Sequence, residues 1–188
     1  MSDDLWAAAT RHPFLDAVRE GTIADTSFDR WLSQDALFVA DLLTFQARLL
    51  ARAPRQAHTV LAGGCGALVA ELDWFDDHAV KRRLDRCADP LPTTLAYRAL
   101  LQHLEDEPFE AAITALWVIE RVYLLGWTSA ISPSSPYCEF IDHWTAPEFA
   151  GYVQDLEKLS AADEHPVLVD EVLRLEVAFW NMAWEEPA

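Results

Sequence analysis

The chain has 188 residues, 52% of them hydrophobic, which is enough to bury a sizeable core without disulfides or metals. A formal net charge of −17, with no lysine or arginine cluster, excludes nucleic acid and anionic membranes from the expected partners. The N-terminal MSDDLWAAATRHPF lacks the features of a signal peptide, and no apolar run could span a membrane, so we expect a cytoplasmic protein.

Apolar residues recur at intervals of three and four along the chain, which predicts helices and no convincing strand. The first long helix is predicted at residues 27–52, after the capping candidates Asp25 and Thr26. Further helices are predicted at residues 59–75, 79–86, 93–104, 109–127, 137–143, 146–160 and 167–184. Short breaks rich in glycine, proline and serine separate them. The pattern predicts an all-α, single-domain helical bundle that spans residues 1–188.

The cysteines and glycines give no sign of a metal or nucleotide site. Cys65, Cys87 and Cys138 are widely spaced and form no CxxC pair, so we expect structural thiols. The GGCG stretch at residues 63–66 lacks the lysine and hydroxyl residue of a phosphate loop, and it indicates close helix packing or a break in the helix. A di-iron carboxylate bundle needs two Glu/His pairs at ligand spacing, and only Glu139 and His143 approach that pattern. No metal site is expected.

The stretch TALWVIERVYLLGW, residues 114–127, places two opposite charges inside an apolar run. Glu120 is separated by threes and fours from Trp117, Tyr123 and Trp127, so it shares their helical face. Arg121 is rotated from Glu120 by about 100° on an ideal helix, so the two charges need not neutralise each other. We expect Glu120 to point inward and to need another partner, or to have a raised pKa.

Two other helices repeat this arrangement. Glu176 is followed at the third position by Phe179, and Asp35 is followed at the third position by Phe38, while Tyr97 adds a phenol. Each acid alone is explained more simply by a cap, or by a partner across the core. Together they indicate an aromatic pocket with a few convergent polar groups, which suits a flat heteroaromatic ligand. A carboxyl group with a raised pKa in such a pocket can supply general acid or base chemistry.

Six segments, spread over almost the whole chain, resemble the TenA proteins, also called thiaminase II, and they occur in the order of that family. They are HPFLDAVREGTI, FDRWLSQDALF, TTLAYRALL, ALWVIERVY, YCEFIDHWTAPEF and LEVAFWNMAW. The resemblance implies the haem-oxygenase-like helical fold and the cofactor-free hydrolysis of thiamin-derived aminopyrimidines to hydroxymethyl pyrimidine, a step of thiamin salvage. It also implies a pyrimidine as ligand and a homodimer or homotetramer.

The resemblance also implies which residues contact the substrate, namely Asp35, Phe38, Tyr123, Trp144 and Phe179. Asp35 matches the aspartate that holds the amino and ring nitrogen groups of the pyrimidine, and Phe38 and Phe179 are expected to sandwich the ring. Phe38 and Trp144 stand where the family commonly has tyrosines. The pocket is therefore expected to offer fewer phenol groups than the family pattern.

The departure from the family pattern lies at its cysteine nucleophile. Aligned on Tyr123, this sequence has Ile119 at the cysteine position and Glu120 directly after it. The stretch ALWVIERVY, with ELDWF at residues 71–75, resembles the branch that lacks the cysteine and has a glutamate nearby. That branch is associated with amino or formylamino pyrimidine hydrolysis. The expected catalytic residues are thus Glu120, Glu176 and Tyr97, and the alternatives are a non-catalytic binding protein or a hydrolase for a different substrate.

Overall fold

The computed structural model describes residues 3–85 and 87–184, and within these ranges the regular structure is helical, without strands. The α-helices are α1 (Asp3–Thr10), α2 (Pro13–Glu20), α3 (Asp25–Arg52), α4 (His58–Arg82), α5 (Pro92–Leu104), α6 (Phe109–Ser129), α7 (Cys138–Trp144), α8 (Pro147–Glu157) and α9 (Pro166–Trp184). Short 3-10 helices, Arg55–Ala57 and Ala162–Glu164, precede α4 and α9. The predicted all-α class is confirmed.

Helices α1 and α2 were not predicted, because each has eight residues and is too short for a clear apolar period. Helix α2 nevertheless carries local signals. His12 accepts a hydrogen bond from the N–H of Phe14, Pro13 occupies the first turn, and Gly21 ends the helix at a φ of 69°. The predicted caps of α3 were also wrong, because Asp25 and Thr26 lie inside the helix and Ala24 precedes it.

The predicted break between residues 75 and 79 does not exist, since α4 runs without interruption through GGCG to Arg82. No glycine or proline separates Phe75 from Ala79, and buried His78 continues the helix with its ring against Trp74 at 4.2 Å between centroids. The helix ends at Arg83, whose φ of 59° is left-handed. Residue 86, the end of the predicted segment, lies outside the described residues.

The core is built around α6, which packs against α1, α3, α8 and α9, while α3 also packs against α4 and α5. Trp31, Trp127 and Trp180 are fully buried within it. The indole N–H of Trp180 donates to the carbonyl oxygen of Ala9 at 2.9 Å and so joins α9 to α1. This packing turns the inward faces of α3, α6 and α9 toward one another. Among the described residues, no helix has the length and hydropathy that crossing a membrane requires.

Candidate active site

A cavity of about 700 Å³ lies between α3, α4, α6, α7 and α8, and its size suits a small organic ligand. Its lining is mostly apolar and aromatic, with the carboxylates of Glu71, Glu120, Glu148 and Asp155. No lysine or arginine is found among the described lining residues. The cavity therefore favours a neutral or cationic ligand over an anionic one.

Glu120 is the carboxylate that reaches this cavity from the core side. It is 7% exposed, and within residues 3–85 and 87–184 no hydrogen bond or ion pair reaches its carboxylate. Burial, followed by the negative charges of Glu71, Glu176 and Asp35, raises the pKa of Glu120 well above its usual value. Glu120 thus holds a proton over a wider pH range than an exposed glutamate and has that proton available toward the cavity.

Arg121 does not share this environment. Its guanidinium contacts Glu157 of α8 at 2.6 Å and lies over the rings of Trp6 and Trp117, at 5.6 and 5.2 Å from their centroids. The predicted separation of Glu120 and Arg121 onto different faces of α6 is confirmed.

Asp35 lies behind the cavity wall, hydrogen-bonded to a residue of the lining. The hydroxyl group of Tyr123, which lines the cavity, donates to Asp35 Oδ1. Asp35 Oδ2 is buried and has no hydrogen-bond partner among the described residues. Burial raises the pKa of Asp35 well above its usual value, against the opposing effect of the Tyr123 hydrogen bond. The site therefore holds one fully buried carboxyl oxygen without a partner among the described residues, behind the lining residue Tyr123.

Glu176 and Tyr97 form a second buried pair, in which the Tyr97 hydroxyl donates to Glu176 Oε1. Burial raises the pKa of Glu176 to about 8, although the Tyr97 hydrogen bond acts in the opposite direction. Neither residue lines the cavity. Tyr97 instead packs against the inner side of Phe38, with 4.6 Å between ring centroids. Tyr97 thus contacts the lining residue Phe38, and Glu176 is joined to Phe38 through Tyr97.

In this structure Phe38 and Phe179, which were expected to sandwich a ligand ring, contact each other directly and leave no space for a ring between them. The two ring centroids are 5.7 Å apart and the ring planes are inclined by 54°. Two rings that hold a third between them need a separation of about 7 Å, twice the usual contact distance. Phe38 therefore lines the cavity, and Phe179 packs behind it.

Trp144, at the end of α7, lines the cavity and hydrogen-bonds to Glu71. Glu71 is a lining acid that was not predicted as a site residue. Its indole N–H donates to Glu71 Oε1 at 2.8 Å, and its ring stacks on Trp127 at 4.7 Å. His143 Nε2 lies 3.7 Å from the same Glu71 oxygen. The spacing of Glu71 from Leu68 and from Phe75 places it on the inward face of α4 and was the signal that could have identified it.

Tyr152 of α8 is a second lining residue that was not predicted. It hydrogen-bonds to Gln46 of α3, which is fully buried. The signal was again a helical spacing, since Tyr152 lies between Phe149 and Leu156 at intervals of three and four.

The described lining residues include no cysteine. Cys65, Cys87 and Cys138 all lie outside the lining, and Ile119 occupies the wall beside Glu120. In the part of the chain that the structure describes, no three histidine, cysteine, aspartate or glutamate residues are grouped to hold a metal ion.

Comparisons with known proteins agree with this architecture. The family model described as "TENA/THI-4/PQQC family" matches residues 2–186. A protein of Glycine max named "Probable bifunctional TENA-E protein" is 34% identical over 202 residues, covering 95% of this chain and 88% of that protein.

Two solved structures share the fold. A TenA homologue from Pyrococcus furiosus superposes with a TM-score of 0.90 at 28% identity, covering 97% of this chain and 95% of that one. A TenA homologue from P. horikoshii OT3 gives a TM-score of 0.87 at 20% identity, with 97% and 94% covered. The predicted haem-oxygenase-like helical fold is confirmed.

Proposed function

The chain belongs to the TENA/THI-4/PQQC family, and we propose that it is a hydrolase of thiamin-derived aminopyrimidines. The reaction replaces an amino or formylamino substituent with a hydroxyl group and gives the hydroxymethyl pyrimidine. Support comes from the 34% identical relative named as a bifunctional TENA-E protein and from an aromatic cavity large enough for a pyrimidine.

The observation that carries the proposal is the unpartnered Glu120 carboxyl group in the cavity wall, with Ile119 beside it and no cysteine in the lining. In the aminomethyl substrate, protonated Glu120 donates its proton to the leaving nitrogen as the carbon–nitrogen bond breaks. The resulting carboxylate then takes a proton from water, whose oxygen forms the new bond to carbon. Ammonia and the hydroxymethyl pyrimidine leave, and Glu120 regains its proton.

The other residues orient the ring. Phe38, Tyr123 and Trp144 supply the aromatic surface, since all three line the cavity. Asp35 is fully buried behind the lining, so we assign it as a positioning residue that holds the Tyr123 hydroxyl group through their hydrogen bond, in place of the direct contact with the pyrimidine that was expected.

Glu176, Tyr97 and Phe179 take a different place in this proposal. They lie behind the lining and position Phe38, so we assign them as positioning residues. This assignment replaces the direct catalytic roles expected for Glu176 and Tyr97.

The test is to incubate the purified protein with the aminomethyl and formylaminomethyl pyrimidines and with thiamin, and to follow hydroxymethyl pyrimidine by chromatography. Turnover of an aminopyrimidine supports the proposal. Binding without any turnover would identify a non-catalytic binding protein, and neither binding nor turnover would point to a different substrate.

The role of Glu120 is tested with Glu120→Gln, which keeps the shape of the side chain but removes the proton transfer. We expect the rate to fall by about 10²-fold to 10⁴-fold with little change in ligand affinity. Glu110→Gln is the matched control, because Glu110 lies on the same helix but is exposed and outside the cavity. Equal rates in the two variants would reject the role of Glu120.

A further inference from the structure

Gly63 and Gly64, the first two glycines of GGCG, form a notch in α4 at the wall of the cavity. A Cβ atom on Gly64 would lie 2.1 Å from Gln46 Nε2 and 2.5 Å from the Tyr152 hydroxyl oxygen, so a larger residue would displace both side chains. Gly63 lines the cavity, and a Cβ there would meet no atom within 4 Å. The notch therefore allows polar side chains from α3 and α8 to meet at the cavity wall.

The direction of each hydrogen bond at this notch follows from the chemistry of the groups. The amide nitrogen Nε2 of Gln46 donates to the carbonyl oxygen of Leu61 at 2.9 Å. A carbonyl oxygen can only accept, so this fixes which end of the Gln46 amide faces Leu61. Gln46 Oε1 then faces Tyr152 at 3.1 Å and can only accept in turn. The single hydroxyl proton of Tyr152 is therefore donated to Gln46.

The Tyr152 oxygen consequently has only lone pairs left for the cavity that it lines. Burial, followed by the charge of Glu120, raises the pKa of Tyr152 well above its usual value, so the phenol keeps this proton at neutral pH. Tyr152 is thus a fixed hydrogen-bond acceptor in the same cavity as Glu120.

We infer that the Tyr152 oxygen accepts a hydrogen bond from the leaving nitrogen of the substrate and selects substrates whose leaving nitrogen carries hydrogen. This inference rests on the proposed hydrolase function. An aminomethyl nitrogen offers its lone pair to the proton of Glu120 and an N–H to Tyr152. A formylamino nitrogen also carries an N–H.

Thiamin differs at this atom, because its leaving nitrogen is a quaternary thiazolium nitrogen with neither hydrogen nor lone pair. Bound in the same place, thiamin would leave the Tyr152 oxygen without a donor, and a buried acceptor without a partner costs binding free energy. The acidic lining alone would attract the positive thiazolium ring, so the charge of the cavity by itself favours thiamin. Tyr152 supplies a selective feature that opposes this attraction.

The experiment compares the dissociation constants of the aminomethyl pyrimidine and of thiamin, measured by isothermal titration calorimetry, for the wild type and Tyr152→Phe. The variant keeps the ring and removes the hydroxyl group, and with it both the acceptor for the ligand and the donor to Gln46, a loss that is the same for the two ligands. We expect affinity for the aminomethyl pyrimidine to fall by about 10-fold to 100-fold, while the affinity for thiamin stays constant or rises. In the kinetics, KM should rise and kcat should change less.

A second route to the same loss is Gly64→Ala, which pushes the Tyr152 hydroxyl away from its place. Gly66→Ala is the matched control, because Gly66 is exposed and a Cβ there meets no atom within 4 Å. The inference predicts the selective loss in Gly64→Ala and unchanged affinities in Gly66→Ala. Equal losses for both ligands, or no loss for the aminomethyl pyrimidine in either Tyr152→Phe or Gly64→Ala, would overturn it.

Measuring both binding and turnover distinguishes a failure of this inference from a failure of the proposed function. Selective binding without turnover in the wild type, lost in Tyr152→Phe, would support the acceptor and reject the hydrolase. Turnover in the wild type with unchanged affinities in Tyr152→Phe would support the hydrolase and reject the acceptor. A wild type that neither binds nor converts the pyrimidines would overturn both.

Discussion

Replacing Glu176 with glutamine should stabilise the protein by an amount that grows with pH. Burial raises the pKa of Glu176 from the ordinary 4.5 to about 8, so between these values the folded state keeps a proton that the unfolded state releases. The contribution of Glu176 to the free energy of unfolding is therefore most favourable below pH 4.5 and is lost as pH rises toward 8. A pKa difference of one corresponds to about 1.36 kcal/mol, so the free energy of unfolding lost near pH 8 through Glu176 is on the order of 5 kcal/mol.

Glu176→Gln removes this loss, because glutamine stays neutral and its carbonyl oxygen can still accept from Tyr97. The gain in the free energy of unfolding should be close to zero near pH 4.5 and reach several kcal/mol near pH 8. Urea unfolding across this pH range, followed by tryptophan fluorescence, measures it, with exposed Glu110→Gln as the control. A gain that does not depend on pH, or a loss near pH 8, would refute the reasoning.

Four further substitutions test the packing and the assignment of residues in and around the cavity. Gly64→Ala should lower the free energy of unfolding by about 1–3 kcal/mol because its methyl group meets two side chains, whereas Gly66→Ala should raise it by up to about 1 kcal/mol, as thermal unfolding would show. Arg121→Met breaks a partly exposed ion pair outside the cavity, so we expect the rate of pyrimidine hydrolysis to stay constant. A fall in this rate as large as that in Glu120→Gln would contradict the expectation. Trp144→Phe deprives Glu71 of its indole donor and should lower the free energy of unfolding, measured with urea, by about 1–3 kcal/mol. An unchanged free energy of unfolding would show that this hydrogen bond does not stabilise the protein.

The inward direction of a side chain could be predicted from the sequence, because it depends on the local period of one helix. Asp35, Glu120 and Glu176 were all expected on apolar faces, and all three are buried. The separation of Glu120 from Arg121 follows from the same local geometry. Helix ends were predicted less well, since a break was expected after Phe75, where no glycine or proline ends the helix and α4 continues to Arg82.

The relative depth of these side chains could not be predicted, because it depends on how distant helices pack. Nothing in the local pattern distinguishes Glu120, which lines the cavity, from Glu176, which lies outside the lining and hydrogen-bonds to Tyr97. The contact between Phe38 and Phe179 joins α3 to α9 and closes the space in which a ring was expected. The role of Gly64 likewise depends on Gln46 and on a residue of α8, far away in the sequence.

The cluster of buried acids connects stability with the proposed chemistry. Asp35, Glu120 and Glu176 each lose favourable hydration on burial, and the charge of Glu176 raises the pKa of the other two. The protonated forms relieve this repulsion, so Glu176, with a pKa of about 8, retains its proton at neutral pH, and Asp35 and Glu120 release theirs at a higher pH than exposed carboxyl groups do. A proton held in this way by Glu120, in a wall with no hydrogen-bond partner of its own, is available to a leaving nitrogen. The packing that makes the acid costly for folding is therefore the same packing that makes it suitable for proton transfer.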